Sequence, residues 1–297
     1  MSDYLTRRSV LTGGASAAAL LLLPAPAANA AANAATGLDQ LERDYGGRIG
    51  AFAVDTGSGR TVEHRSGERF PLLSTFKALA AAAVLRRARG CEPGLLERVL
   101  HWTAEDLVAN SPITAQHVAD GLTVAELCHA AIAYSDNTAG NLLLRQIGGP
   151  PGLTRYARGI GDPVTRLDRW ETELNDWSPA SPRDTTTPAA MGRDLRALTL
   201  GPELHANDRD RLVGWLRSTV TGNARIRAGL PVTWIVGDKT GSSDSYGAAN
   251  DIAVVHPPSG APLILAIYTN RNAADGTFDN AVIASTATML VTALGRL

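Results

Sequence analysis

Ser74-Thr75-Phe76-Lys77 is where the chain turns helical, and it holds one of only two lysines; the other stands in Lys239-Thr240-Gly241. The 28 basic residues of the 297 are otherwise all arginine. A guanidinium stays protonated at any relevant pH, whereas a buried amine can lose its proton and act as a base. Lys77 is therefore the first place to look for chemistry. Serine fills 16 of 297 positions, so a given lysine meets a serine three residues upstream by accident roughly one time in twenty. A lone S-x-x-K is weak for that reason. Lys-Thr-Gly is rarer, and Tyr134-Ser135-Asp136-Asn137 lies between the two, so the order and spacing of all three make coincidence a poor explanation.

Outward from Ser74 the pattern divides the chain in three. Upstream, Arg48 to Asp55 alternates apolar and polar positions, Gly57-Ser58-Gly59 supplies a turn, and Thr61 to Arg65 returns, which reads as a hairpin. From Ser74 to about Leu216 the spacing is helical, over Ser74–Arg89, Val124–Tyr134, Thr138–Ile147, Pro188–Leu198 and Asp208–Leu216. Strand signals return at Val232–Gly237, Ala248–His256 and Pro262–Thr269, before a closing helix from about Phe278 to Leu294. Strands at both ends enclosing a helical insert predict an α+β fold with two lobes, its antiparallel sheet built from both termini, and not a series of βαβ crossovers. The expected division is an α/β lobe over 31–69 and 218–297, and an all-α lobe over 70–217 that includes an irregular, proline-containing loop at 161–184. A loop of that length inside a compact domain is usually functional. An Arg169–Asp184 ion pair could close its neck, although two solvated charges would contribute little.

The bulk properties narrow the partners. Residues 1–30 read as an export signal: Thr6-Arg7-Arg8-Ser9-Val10-Leu11 is of twin-arginine type, and a mildly apolar stretch ends at Ala28-Asn29-Ala30. Processing after Ala30 or Ala34 would leave a secreted or otherwise extracytoplasmic chain, expected to be soluble because no later segment is apolar for the roughly 18 residues a membrane span needs. A formal net charge of −1 with interspersed signs offers no nucleic-acid stripe and no polybasic membrane patch, so a small molecule is the expected partner of a monomer. The six histidines show no metal-ligand spacing, and neither metal nor cofactor is expected. Cys91 and Cys128 do not make a disulfide scaffold, and no bond between them is predicted.

Ser74-x-x-Lys77, Ser135-Asp136-Asn137, Glu171-x-x-Leu174-Asn175 and Lys239-Thr240-Gly241, in this order, resemble the class A serine β-lactamases. Phe70-Pro71, Asp168-Arg169-Trp170-Glu171 and Arg183-Asp184-Thr185-Thr186 extend the resemblance over essentially the whole mature chain. It implies a β-lactamase/transpeptidase-like fold and an enzyme that opens the β-lactam of penicillin-type antibiotics through an acyl-enzyme, conferring resistance. Ser74 would be the nucleophile. Lys77, or Glu171 acting through water, would take its proton, since a serine hydroxyl is a weak nucleophile without a base. The resemblance assigns Ser135 to the proton for the departing nitrogen and Glu171 with Asn175 to the deacylating water. Asn137 would hold the substrate's side-chain amide, and Lys239, Thr240, Ser242 and Arg225 its carboxylate. The backbone N–H groups of Ser74 and Ser242 would form the oxyanion hole, with each such donor typically contributing about 3–4 kcal/mol. Asp136 and Glu173 read as a cap and a solvated acid.

Two other functions share these motifs. A penicillin-binding D-Ala-D-Ala carboxypeptidase or transpeptidase has Ser-x-x-Lys, Ser-x-Asn and Lys-Thr-Gly but typically lacks the loop carboxylate, and a covalent β-lactam sensor would stop at the acyl adduct. Glu171 argues for turnover. The sequence also departs from the family pattern. Asn110 stands at a rim position often held by an aromatic, and Leu73 and Ser243 stand where carbapenem-hydrolysing members carry a disulfide. Cys128 matches a family cysteine whose usual partner position is Ala81.

Overall fold

The computed structural model describes residues 25–297, so most of the export segment expected over 1–30 lies outside the described residues. Five strands form one antiparallel sheet: β1 (Gly47–Asp55), β2 (Thr61–His64), β3 (Ile235–Ser243), β4 (Ala248–His256) and β5 (Leu263–Arg271). Their order across the sheet is β2-β1-β5-β4-β3, so the N-terminal hairpin is joined to the C-terminal meander by the β1–β5 ladder, with Val54 opposite Ile264 and Gly47 opposite Arg271. This is the antiparallel sheet from both termini that the pattern implied.

The sheet is covered on both faces, and successive side chains alternate between them. Leu263, Leu265 and Ile267 of β5 face helices α1 (Ala25–Tyr45) and α8 (Asn280–Ala293), in a core with Leu38, Ile283, Leu290 and Val291. Ile264, Ala266 and Tyr268 face the opposite core, shared with Phe52, Val54 and the helices of the central segment. Burial on both sides explains why Leu263 to Tyr268 is one unbroken apolar run. Each fully buried Leu or Ile there contributes about 1.5–3 kcal/mol. The second core also reaches the functional centre: the buried Tyr268 hydroxyl lies 3.2 Å from Thr75 Oγ1, which donates to the Leu72 carbonyl.

In the central segment, α2 (Phe76–Gly90) is buried all round over Phe76–Leu85, so it has no polar face and sits at the middle of the helical layer. It starts two residues later than its apolar spacing suggests, because Leu73–Thr75 makes a separate 3₁₀ turn. Helices α3 (Val124–Ala133) and α4 (Asn137–Ile147) follow, with caps written in the sequence. The Thr123 and Glu126 side chains reciprocally bond each other's backbone N–H, and Asp136 accepts from Ala139 N. Helix α5 (Gly149–Gly159) is not visible in the spacing. It opens on Gly149-Pro150-Pro151, a breaker signal in sequence, but proline is well tolerated in a first turn. Helices α6 (Pro188–Thr199), capped by Thr187 Oγ1, and α7 (Ala206–Arg217) complete the layer, and α6 packs on the sheet.

One strand differs from its expected position. Val232 is fully exposed, and β3 runs Ile235–Ser243 instead of 232–237. The strand continues through polar residues because β4 pairs with them, Thr240 against Asp251 and Gly241 against Asn250, and a reading based on apolar runs misses a strand that carries polar groups. Residues 161–184 are irregular apart from a 3₁₀ turn at Glu173–Asn175. The neck of this loop is closed: Arg169 Nε meets Asp184 Oδ2 at 2.6 Å, and the fully buried Asp184 also accepts from the N–H groups of Asp168 and Arg169. It is a buried tie and not a pair of solvated charges. Among the described residues, no helix is long and apolar enough to cross a membrane, and no group of three or more His, Cys, Asp or Glu side chains is placed to hold a metal. Cys91 is exposed, Cys128 is buried, and both are free thiols.

Candidate active site

The 3₁₀ turn before α2 places the Ser74 hydroxyl on the same side as Lys77, one turn on, and the Lys77 amine lies 2.9 Å from Ser74 Oγ. Two glycines allow the surrounding elements to close in. A Cβ at Gly140 of α4 would stand 2.9 Å from Lys77 Cε, and one at Gly241 of β3 would stand 2.8 Å from Leu73 Cβ and 3.1 Å from Ser74 N. Any larger residue would push α4 or β3 away from Lys77 and Ser74. Leu73, Asn110 and Ser135 around the site are non-glycine residues at φ 48°, 58° and 57°. Such conformations cost of order 1–3 kcal/mol each and persist where the surroundings over-determine them.

Lys77 is fully buried, and four oxygens surround its nitrogen: Ser74 Oγ, the Ser135 carbonyl at 2.8 Å, Asn137 Oδ1 at 2.6 Å and Glu171 Oε1 at 3.0 Å. Burial lowers its pKa from the ordinary lysine value, and the nearby Glu171 carboxylate opposes that shift. The geometry serves both protonation states. A neutral amine donates to the Ser135 and Asn137 oxygens and accepts the Ser74 proton; an ammonium donates to them and to the carboxylate. Ser74 Oγ also lies 3.3 Å from Glu171 Oε1, so hydroxyl, amine and carboxylate form a closed buried triangle.

Lys239 is equally buried and donates to Ser135 Oγ at 3.0 Å and to the Thr240 carbonyl at 2.7 Å. Its pKa is held well below the ordinary value by burial, and then by the positive charge of Lys77. Asn175 Nδ2 donates to Glu171 Oε2 at 2.6 Å. Asn175 Oδ1 is buried with no hydrogen-bond partner among the described residues. Arg225 is 5% exposed, and four of its five N–H groups are engaged: two on the Gly241 and Asn250 carbonyls, one on Asn280 Oδ1 and one on Ser242 Oγ at 2.5 Å. It therefore faces a ligand mainly through the Ser242 hydroxyl. Burial lowers its pKa too, without approaching neutrality for a guanidinium.

Ser74, Ser135, Asn137, Asn175, Arg225, Thr240 and Ser242 line one cavity of about 330 Å³, together with Asn110, Tyr134, Thr221 and Gly241. Lys77, Glu171 and Lys239 touch those residues from behind, so all the candidate catalytic and substrate-binding residues converge on one place. Asp136 is a capping residue, with its carboxylate spread over Ile113 N, Thr114 N, Thr114 Oγ1 and Ala139 N. Asn110 turns its carbonyl to Asn137 N and offers no ring at the rim, where Tyr134 supplies an exposed one.

Sequence reasoning missed Asn141. It grips the Glu171 backbone from both sides, accepting from Glu171 N and donating to Glu171 O, both at 2.9 Å. Its signal was available, since Asn141 lies one helical turn after Asn137 and shares its face. Thr221, whose hydroxyl meets Thr240 Oγ1 at 2.6 Å, and Asn280, behind Arg225, were also missed; both lie in stretches without a motif.

Comparison with known proteins agrees with this geometry. The model of the Beta-lactamase enzyme family matches residues 33–294. The chain is 52% identical to beta-lactamase AST-1 of Nocardia asteroides, over 86% of this chain and 82% of that one. It is 50% identical to the carbapenem-hydrolyzing beta-lactamase KPC of Klebsiella oxytoca, over 86% of this chain and 87% of that one. The crystal structure of a beta-lactamase from Streptosporangium roseum superposes with a TM-score of 0.89 at 63% identity, covering 90% of this chain and all of that one. The class A beta-lactamase of the last common ancestor of Gram-negative bacteria gives 0.84 at 52% identity, covering 88% of this chain and 99% of that one. With the motifs assembled in one cavity and the likeness running through both sequence and fold, the chain belongs to the class A β-lactamase family.

Proposed function

We propose that this serine hydrolase opens the β-lactam ring with Ser74 as nucleophile, Lys77 and Ser135 handling protons, and Glu171 driving water onto the resulting ester. The observation that carries this reading is the buried triangle of Ser74 Oγ, Lys77 Nζ and Glu171 Oε1, with edges of 2.9, 3.0 and 3.3 Å. A desolvated amine accepts the hydroxyl proton as Ser74 attacks the carbonyl, and the N–H groups of Ser74 and Ser242 meet the oxygen that becomes negative. The proton for the departing ring nitrogen comes from Ser135, whose hydroxyl Lys239 holds. Asn175 Oδ1, a buried acceptor beside the carboxylate, is available to the water that Glu171 deprotonates. Collapse of the adduct breaks the ester bond, a proton returns to Ser74 Oγ, and the ring-opened acid is released as product.

Asn137 would bind the substrate's side-chain amide. Thr240, Ser242 and the cations Lys239 and Arg225 would hold its carboxylate. Penicillins are the first substrates to test, and resistance to them is the expected phenotype. We also propose an exported monomer that uses the twin-arginine route, with lobes at 31–69 plus 218–297 and at 70–217. The transpeptidase reading is disfavoured because Glu171 stands against the nucleophile. Steady hydrolysis of a chromogenic cephalosporin by the purified mature protein, abolished by Ser74→Ala, tests the proposal; one stoichiometric burst followed by silence would favour the transpeptidase or sensor.

A further inference from the structure

A carboxylate that aims water at an ester tolerates little drift: a displacement of about 1 Å can cost on the order of 100-fold in rate. Glu171 sits on a loop with almost no regular structure, so its position depends on ties to the rest of the molecule. Arg169–Asp184 closes the neck, and Asn141 holds the Glu171 backbone. Beyond Asn175 lies a third attachment, to the turn that follows Ser242. Ser243 Oγ donates to the Asn175 carbonyl at 2.7 Å. Next to it, Trp177 packs edge-on against Tyr246, with ring centroids 5.8 Å apart at 74°. Trp177 is 3% exposed, and its indole N–H has no partner among the described residues, so the ring itself makes the contact. The turn is a firm support. Tyr246 adopts φ 54° and donates its N–H to the Ala274 carbonyl at 2.9 Å, while Ser245 N donates to Ser243 Oγ at 3.0 Å.

We propose that Ser243, Trp177 and Tyr246 form a clasp that holds the loop bearing Glu171 against the strand bearing Ser242, as positioning residues for hydrolysis of the acyl-enzyme. This inference rests on Glu171 acting as the water-activating base. Its path is continuous: Ser243 fixes the Asn175 backbone, and the Asn175 side chain fixes Glu171 Oε2 at 2.6 Å. Acylation draws its nucleophile and proton carriers from Ser74 in the 3₁₀ turn before α2, Lys77 on α2 and Ser135 before α4, whose side-chain hydrogen bonds go to one another, Asn137, Glu171 and Lys239 and not to the clasp. Loosening it therefore slows the second chemical step and spares the first.

The test is rapid-mixing kinetics of the mature enzyme with a chromogenic cephalosporin, resolving the acylation burst from steady turnover. Trp177→Ala and Ser243→Ala should keep the wild-type burst rate, lower kcat about tenfold or more, and lower KM in parallel as acyl-enzyme accumulates. Trp177→Phe should restore turnover, since it keeps an aromatic edge and loses only an unpartnered N–H. Where Trp177→Ala does not fold, Ser243→Ala carries the test from a half-buried side chain. Burst and turnover falling together, neither changing, or Trp177→Phe failing like Trp177→Ala would each overturn the clasp. Glu171→Gln, run alongside, separates the two claims: if it stalls while the clasp variants turn over normally, only the clasp is wrong, and if it turns over normally, the base assignment and the clasp fall together.

Discussion

Replacing Asp194 by asparagine should stabilise the protein, by an amount that grows with pH. Asp194 lies on α6, 4% exposed, and hydrogen-bonds the Asp162 carboxyl at the start of the irregular loop. Burial pushes its pKa up to about 9, and the charge of Asp162 adds to the shift. Burial acts on Asp162 as well, but hydrogen bonds from Thr165 and Val164 more than reverse it, so Asp162 stays ionised and Asp194 carries the proton. The unfolded chain releases that proton near the ordinary aspartate value of 3.8. Between those values the folded state binds one proton more than the unfolded state, so stability falls as pH rises, by about 1.4 kcal/mol per unit. From pH 5 to pH 8 the loss is about 4 kcal/mol. Asparagine has the shape of the protonated acid, donates to Asp162 and does not titrate. Urea unfolding of wild type and Asp194→Asn across that range should give two curves that diverge toward alkaline pH. Parallel curves, or a variant that is less stable at pH 8, would refute the assignment of the proton.

Other variants probe the site and its supports. Lys77→Arg keeps a cation but removes a base, because a guanidinium cannot give up its proton; acylation measured in the burst phase should fall by about 10²-fold or more, and a normal burst would exclude Lys77 as the base. Arg169→Ala leaves the buried Asp184 without its partner, which should cost about 3–5 kcal/mol in chemical denaturation. Arg225→Ala should raise KM for carboxylate-bearing substrates, by loosening the Ser242 hydroxyl, while the acylation rate at saturation changes little.

What could be read from sequence was the chemistry and the broad order of elements. Ser74, Lys77, Ser135, Glu171 and Lys239, which the structure brings together, were visible because they fall in motifs of fixed residue type and order, and both lysines of an arginine-rich chain lie in such motifs. The two ends of the sheet were visible from alternating or continuous apolar runs. What was missed acts through the backbone or within polar surroundings. β3 was displaced because its functional half, Lys239 to Ser243, looks like a loop to any apolar template. α5 was hidden by a Gly-Pro-Pro opening that a first helical turn accepts. Asn141 and Ser243 hold main-chain groups of the loop; the only hint of this in local sequence is that Asn141 shares a helix face with Asn137, since the bonds themselves reach thirty or more residues away.

Turnover in the proposed mechanism depends on Glu171 to free Ser74 from its ester. Intact-protein mass spectrometry of Glu171→Gln mixed with benzylpenicillin measures this directly. The variant should gain the mass of the whole drug and keep it for hours, while wild type returns to its unmodified mass within the mixing time. A Glu171→Gln protein that clears the adduct as fast as wild type would contradict it.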